Sequence, residues 1–292
     1  MQALWMILAS LLFASMGVCV KFASSAFNSA ELIFYRGLIG VVFLGALART
    51  RGISLATRFP GMHAWRSLIG VMSLGAWFYA LAHLPLATAM TLNYMSSVWI
   101  AAFLVGGSLL LGRVQKQGPL VLTVMLGFVG VVLMLRPTFD HHQAFAGLLG
   151  LLSGMSAAFA YMQVMALSRL GEPETRVVFY FSVGSVVAGA AGMMAVGISP
   201  WVWPSALWLI PVGVLASLGQ LCMTRAYSHG ATLVVANLQY SGIVFGAIYS
   251  VALFGDHIEL MGWAGMGLIV ISGIAATVLR EHAVPHAPAE EH

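Results

Sequence analysis

One stretch constrains this chain more than any other. Leu86 to Leu111 is apolar and long enough to cross a bilayer, yet it is interrupted by Asn93, Tyr94, Ser96 and Ser97. A lipid-buried amide costs free energy unless it finds a partner or faces water, so such a segment calls for a polar interior shared with other helices. The stretch also has a near copy. Between Ala231 and Phe254, Leu238-Gln239-Tyr240 answers to Leu92-Asn93-Tyr94 at an offset of 146, half of the 292-residue length. The chain reads as two related halves, and Asn93 and Gln239, at matched positions, mark a candidate site.

Composition agrees that lipid is the main solvent. Charged residues are 8% of the chain and hydrophobic ones 60%, against roughly 25% and 45–50% in soluble domains. A formal net charge of +4 is no argument for nucleic acid here, because Lys and Arg in a membrane protein mostly report orientation. Met1 to Trp5 carries no basic side chain and the first apolar run is of full spanning length, so it is expected to be a transmembrane helix and not a signal peptide. Cys19 and Cys222 lie in apolar segments and imply no disulfide framework.

Ten stretches are about long enough for a helix across a ~30 Å hydrocarbon core: Ala3–Phe22, Ala30–Ala48, Ala64–Ala82, Leu86–Leu111, Pro119–Leu135, Phe145–Ser168, Val177–Val196, Ser205–Thr224, Ala231–Phe254 and Leu260–Leu279. Pro and Gly punctuate the connections, as at Leu84-Pro85, Gly118-Pro119, Arg136-Pro137 and Gly255-Asp256. Residues 281–292 turn to His, Pro, Ala and Glu and are expected to be a disordered cytoplasmic tail.

With alternating helices and an inside N-terminus, one side holds Arg49, Arg51, Arg58, Arg66, Arg113, Lys116, Arg169, Arg176, Arg225 and Arg280, the other only Lys21, Arg36 and Arg136. That imbalance puts both termini in the cytoplasm. Five spans per half is an odd number, so the second half enters the membrane from the opposite face, giving an inverted repeat. The expected fold is therefore all-α and integral to the membrane, with ten helices in two inverted five-helix repeats, residues 1–142 and 143–280. Phe13-Ala14 with Phe159-Ala160, His83 with His229, and Phe34-Tyr35 with Phe179-Tyr180 extend the internal match in order.

Phe34-Tyr35-Arg36 in the second helix, and Leu253-Phe254-Gly255-Asp256 before a Gly-rich tenth helix, resemble the drug/metabolite transporter superfamily, EamA type, over essentially the whole chain. The resemblance implies a ten-helix secondary transporter of small amphipathic metabolites in a bacterial inner membrane. Aromatic richness and length look most like the bacterial exporters of aromatic amino acids. The family's Pro in the fourth and ninth helices is replaced here by Ser96-Ser97 and Gly242, and its Gly-Glu at the helix ends by Gly112-Arg113 and Gly255-Asp256.

Inverted-repeat transporters bind substrate near the midplane where the halves meet. Asn93 and Gln239 each lie roughly 12–13 Å inside their spans, close to that plane. Tyr79 and His83 on the third helix, Asn93, Tyr94, Ser97 and Trp99 on the fourth, Gln163 on the sixth, and Gln239 and Tyr240 on the ninth are the candidate substrate-binding set. Helix packing is the competing explanation for these faces, since small and hydroxyl residues suit membrane helix contacts. Rings would offer stacking faces to an aromatic substrate. Arg36, roughly 10 Å deep, is either a carboxylate ligand or a strut reaching Glu31 or backbone carbonyls. Gly150 with Gly154 and Gly242 with Gly246, one turn apart, are expected to let helices approach. His83 and His229 could titrate near neutral pH or simply cap helices.

The expected function is export of small metabolites, above all aromatic and other neutral amino acids, by alternating access. A different metabolite or drug class is the alternative, and a channel or structural membrane protein the rival of another kind. No P-loop, intramembrane Asp pair, HExxH or G-x-S-x-G occurs, which argues against ATP-driven transport and against an enzyme. No acidic residue falls near the centre of a span, which favours facilitated diffusion or exchange over a carboxylate proton relay, with His83 leaving proton coupling open. A small-molecule substrate and the bilayer are the expected partners. No cofactor and no metal are expected, and a monomer would suffice.

Overall fold

Breakers and caps set the helix ends in the computed structural model, which describes residues 4–96, 98–99, 103, 122, 125–127, 129–130, 133, 141–229, 235 and 238–283. Among them the secondary structure is helical throughout: α1 Leu4–Ala23, α2 Ser29–Thr50, α3 Pro60–His83, α4 Leu86–Tyr94, α5 His141–Arg169, α6 Glu174–Val196, α7 Trp203–Ala206, α8 Leu209–His229, α9 Ser241–Phe254 and α10 Leu260–Ala283. Asn28 opens α2 with a capping box: its side chain accepts from the Glu31 amide while the Glu31 carboxylate accepts from the Asn28 amide. Pro60 sits in the first turn of α3, where its missing N–H is no loss. Gly255 ends α9 in the left-handed conformation, at a φ of 62°.

Among the described residues, five helical stretches are long and apolar enough to cross a membrane: Leu4–Ala23, Ser29–Thr50, Ala144–Arg169, Glu174–Val196 and Trp203–His229. The structure thus gives a multi-pass helical membrane protein, with large apolar side chains such as Val187, Met194 and Ile210 exposed around its outside. α3, at 24 residues and ~36 Å, is long enough as well, but buries His63 and Arg66. Most of the fifth expected span and most of the fourth beyond Ser96 lie outside the described residues, as do Gly112-Arg113 and residues 284–292.

Several boundaries differ from expectation. α3 begins at Pro60 and not at Ala64, because the proline is accommodated as a helix start and not as a break in a loop. α5 begins at His141 and not at Phe145, α8 runs to His229 and not to Thr224, and α10 runs on to Ala283, beyond the expected end at Leu279.

Helix pairs pack closely through glycine. α2 lies along α6, where a Cβ on Gly37 would stand 2.8 Å from the Ser182 carbonyl oxygen. α4 lies against α9, where Gly242 faces the Tyr94 ring and a Cβ would stand 2.5 Å from it. α4 also meets α5, with Gly150 against Leu92 and Gly154 against the Leu92 carbonyl. The two pairs of spaced glycines therefore do sit at helix contacts. α3 packs on α5, and α1 on α8.

Contacts sort the connections onto two faces. On one, the guanidinium of Arg176 donates to the Ser54 carbonyl at 2.6 and 2.9 Å, and His229 Nδ1 lies 3.5 Å from Glu174 Oε1. On the other, Asn28 donates to the Gly197 carbonyl, Ser199 donates to both Glu31 carboxylate oxygens, and Lys21 donates to the Leu84 carbonyl.

Candidate functional site

Helices α1, α2, α3, α4, α5, α6 and α8 enclose a cavity of about 60 Å³, room for a few waters. Phe13 and Met16 come from α1, Arg36 from α2, and Arg66, Gly70, Ser73, Leu74 and Trp77 from α3. Asn93 and Tyr94 come from α4, Ala157, Ala160 and Tyr161 from α5, Phe181 from α6, and Gln220 and Met223 from α8. Aromatic walls with a few polar groups are the usual make-up of a small-molecule site.

The charge in this cavity is all of one sign. Arg36 and Arg66 are each 3% exposed, and among the described residues no acidic side chain lines the space. Both guanidiniums lie over one ring: the central carbon of Arg36 is 4.9 Å from the Phe181 centroid and that of Arg66 4.1 Å. The ring's negative face partly offsets their desolvation. Their hydrogen bonds are long, Arg36 Nη1 to Ser185 Oγ at 3.4 Å and Arg66 Nη2 to Gln220 Oε1 at 3.4 Å. Ser185 is fixed in turn by donating to the Phe181 carbonyl. Among the described residues, Arg36 Nε and Arg66 Nε and Nη1 are buried with no hydrogen-bond partner. Gly70, one turn after Arg66, leaves the room its guanidinium fills: a Cβ there would collide with that group and stand 2.7 Å from the Phe181 ring.

Glu31 is not the partner of Arg36. Its carboxylate caps α2 and accepts from the Ser199 amide at 2.9 Å and the Ser199 hydroxyl at 2.6 Å.

The two intramembrane amides differ in setting. Asn93 lines the cavity and donates to Ser153 Oγ at 3.1 Å, while Ser153 donates to the Gly150 carbonyl. Gln239 stands behind the wall: it accepts from Tyr227 at 2.8 Å and donates to Ser96 Oγ at 3.2 Å and to the Tyr161 hydroxyl at 3.4 Å. Through Tyr161 it reaches the cavity indirectly. Tyr161 and Tyr227 stack at 5.5 Å, so the amide holds a pair of rings in register.

Of the other residues singled out in the sequence, Tyr94 lines the cavity and Tyr240 is buried in the same core outside the lining. Tyr79 stacks on His83 at 4.1 Å and edge-on to Phe145, near the end of α3 and away from the cavity. His83 is exposed, its Nδ1 2.8 Å from the Tyr79 carbonyl oxygen. Trp99 stacks on Phe103 outside the lining, and Gln163 is half-buried and also outside it. Ser97 lies outside the described residues.

Arg66, Tyr161, Phe181 and Gln220 were not singled out. Arg66 counts in the sequence only toward the basic residues of one membrane side, at the start of the Ala64–Ala82 stretch, whereas Pro60 as a helix start places it nearly two turns inside α3. Gln220, an amide within the Ser205–Thr224 span, carried the same signal as Asn93.

Comparison with known proteins places this architecture. A family model of EamA-like transporters matches residues 1–136. The pseudopaline exporter of Pseudomonas aeruginosa is 32% identical over 92% of this chain and 93% of its own length. The riboflavin transporter of Rhizobium johnstonii is 26% identical over 93% of this chain and 89% of its own length. A solved crystal structure sharing 20% identity superposes with a TM-score of 0.67, covering 97% of this chain and 99% of that one, and so has the same fold. The chain is a membrane transporter of the EamA-like family, within the drug/metabolite transporter superfamily.

Proposed function

We propose that the protein is a secondary transporter that exports small amphipathic metabolites across a bacterial inner membrane by alternating access. The observation that carries this reading is the cavity itself, walled by helices of residues 1–142 on one side and of residues 143–280 on the other. Rocking of one half against the other would expose such a space to each face in turn.

The helix pairing supports two inverted five-helix repeats. Exchanging each span with its counterpart one half later turns the α3·α5 pair into α8·α1, and α4·α5 into α9·α1. It turns α2·α6 and α4·α9 into themselves. That is the pattern expected when the second half is a turned-over copy of the first.

The face where Arg176 meets the Ser54 loop is cytoplasmic in this reading, since Arg49, Arg51, Arg58, Arg169 and Arg176 cluster there. A cysteine at the exposed Ser54 tests it. Labelling by an impermeant reagent should require permeabilised cells, and labelling of intact cells would overturn the orientation.

The substrates whose chemistry this lining suits are small molecules with an apolar ring, aromatic and other neutral amino acids among them. Phe13, Trp77, Tyr94, Tyr161 and Phe181 supply ring faces, and the two arginines a place for a carboxylate. Relatives named for pseudopaline export and riboflavin transport support a metabolite and leave its identity to experiment. Proteoliposomes loaded with a panel of amino acids and other metabolites should show saturable counterflow for one class. Flux without saturation or counterflow would indicate a channel.

A further inference from the structure

We propose that Arg36 and Arg66 form a subsite for the carboxylates of a transported organic anion, so that the preferred substrate carries a net negative charge and two carboxylates. This rests on the transporter reading above and narrows its substrate class.

A buried guanidinium is normally matched by a carboxylate, because a lone charge loses its hydration with nothing in return. Here two such groups share one small space, each 3% exposed, and repel one another. Their distances to the one Phe181 centroid, 4.9 and 4.1 Å, bound their separation to at most the sum of the two. The nearby acids are committed elsewhere. Glu31 caps α2 and binds Ser199, and Glu172 binds Thr57, His63 and Arg176. What the arginines have is one aromatic ring and two neutral acceptors at 3.4 Å.

Among the described residues three nitrogens remain without a partner, Arg36 Nε and Arg66 Nε and Nη1. On Arg66 the Nε–H points toward Nη2 and away from Nη1, so the two free nitrogens give single hydrogen bonds on different sides of the guanidinium, each able to take one carboxylate oxygen. A zwitterionic amino acid would bring one negative group and one positive group into a site that already holds two cations and, among the described residues, has no acid to receive the ammonium. A substrate with a second carboxylate balances both arginines. The ring faces of Trp77 and Phe13 lie in the same lining and give an apolar wall beside the charged end.

Three ligands with one skeleton test this on the purified full-length protein in detergent, read by thermal stabilisation against concentration. Benzylsuccinate has a ring and two carboxylates, 3-phenylpropionate a ring and one, and 3-phenylpropanol a ring and none. Half-saturating concentration should rise about tenfold or more at each step. Arg66→Gln should weaken benzylsuccinate at least tenfold and leave 3-phenylpropanol unchanged, while Arg66→Lys, which keeps the charge but not the planar set of donors, should fall between. Equal stabilisation of the wild type by all three ligands would overturn the subsite, and this comparison needs no variant to fold. Stronger stabilisation by phenyl phosphate than by benzylsuccinate would overturn the carboxylate assignment.

Counterflow in proteoliposomes separates this proposal from the transporter reading. Arginine-dependent binding of benzylsuccinate with no flux of any solute would leave the subsite standing and remove the carrier. Saturable counterflow of neutral amino acids that survives Arg66→Gln would keep the carrier and overturn the subsite.

Discussion

The guanidinium of Arg36 lies 4.9 Å from the centroid of the Phe181 ring, and the two residues are 145 apart in sequence. That is the offset at which Phe34-Tyr35 matches Phe179-Tyr180. On the two-repeat reading proposed above these are equivalent places on α2 and α6, and they hold a cation and its π partner across the closely packed α2·α6 contact.

Phe181→Leu should separate the ring's electrostatic role from its bulk. Leucine fills much of the space but has no negative face to hold two guanidiniums. Loss of cation–π attraction amounts to about 0.5–2 kcal/mol, roughly a two- to thirtyfold rise in half-saturation. The maximal counterflow rate should change less. A variant with unchanged half-saturation would show that Ser185 and Gln220 position the arginines without the ring.

How much of this arrangement was legible in the sequence depended on isolation. Arg36 and Asn93 stood out because each is a strong polar group deep in an apolar run, and both line the cavity. Phe181 did not, because one phenylalanine among many carries no mark of what rests on it. Tyr79 and Trp99 are candidates in the sequence and Trp77 is not, yet Trp77 lines the cavity, since helical spacing gives a face but not what that face meets. The structure turns Tyr79 to His83 and Phe145, and Trp99 to Phe103. Gln239 was legible as a buried amide, yet it acts on the wall through Tyr161 and Tyr227. Whether a polar group faces a cavity or stands one layer behind it depends on tertiary contacts that a single sequence does not encode locally.

Glu172 should make stability sensitive to acid. Burial works to raise its pKa, but hydrogen bonds from Thr57, Arg176 and His63, with the Arg176 charge, outweigh that and hold it below the usual carboxylate range. A depressed folded pKa adds stability that is fully present above the unfolded value of about 4.3 and is lost as pH falls through the folded one. Glu172→Gln should therefore lower the unfolding temperature at pH 7, at a cost of about 1–3 kcal/mol. The gap to the wild type should stay constant down to about pH 5 and narrow below about pH 4. Equal gaps at pH 7 and at the acid end would mean that the carboxylate's charge is not what ties the 51–60 connection to α6.

Trp77 and Trp99 give the sharpest contrast between a ring that faces the cavity and one that faces a neighbouring ring. Trp77 is 6% exposed and lines the cavity beside Ser73 and Leu74, whereas Trp99 stacks on Phe103 at 6.0 Å. Stacking on a bound ring contributes roughly 0.5–1.5 kcal/mol, up to about tenfold in affinity. Trp77→Leu should raise half-saturation for a ring-bearing substrate by that factor and change that for an aliphatic analogue of the same charge much less. Trp99→Leu should lower the unfolding temperature through lost packing and leave the ratio between the two substrates as it was. A ratio shifted by Trp99→Leu and untouched by Trp77→Leu would mean that substrate occupies a space other than this cavity.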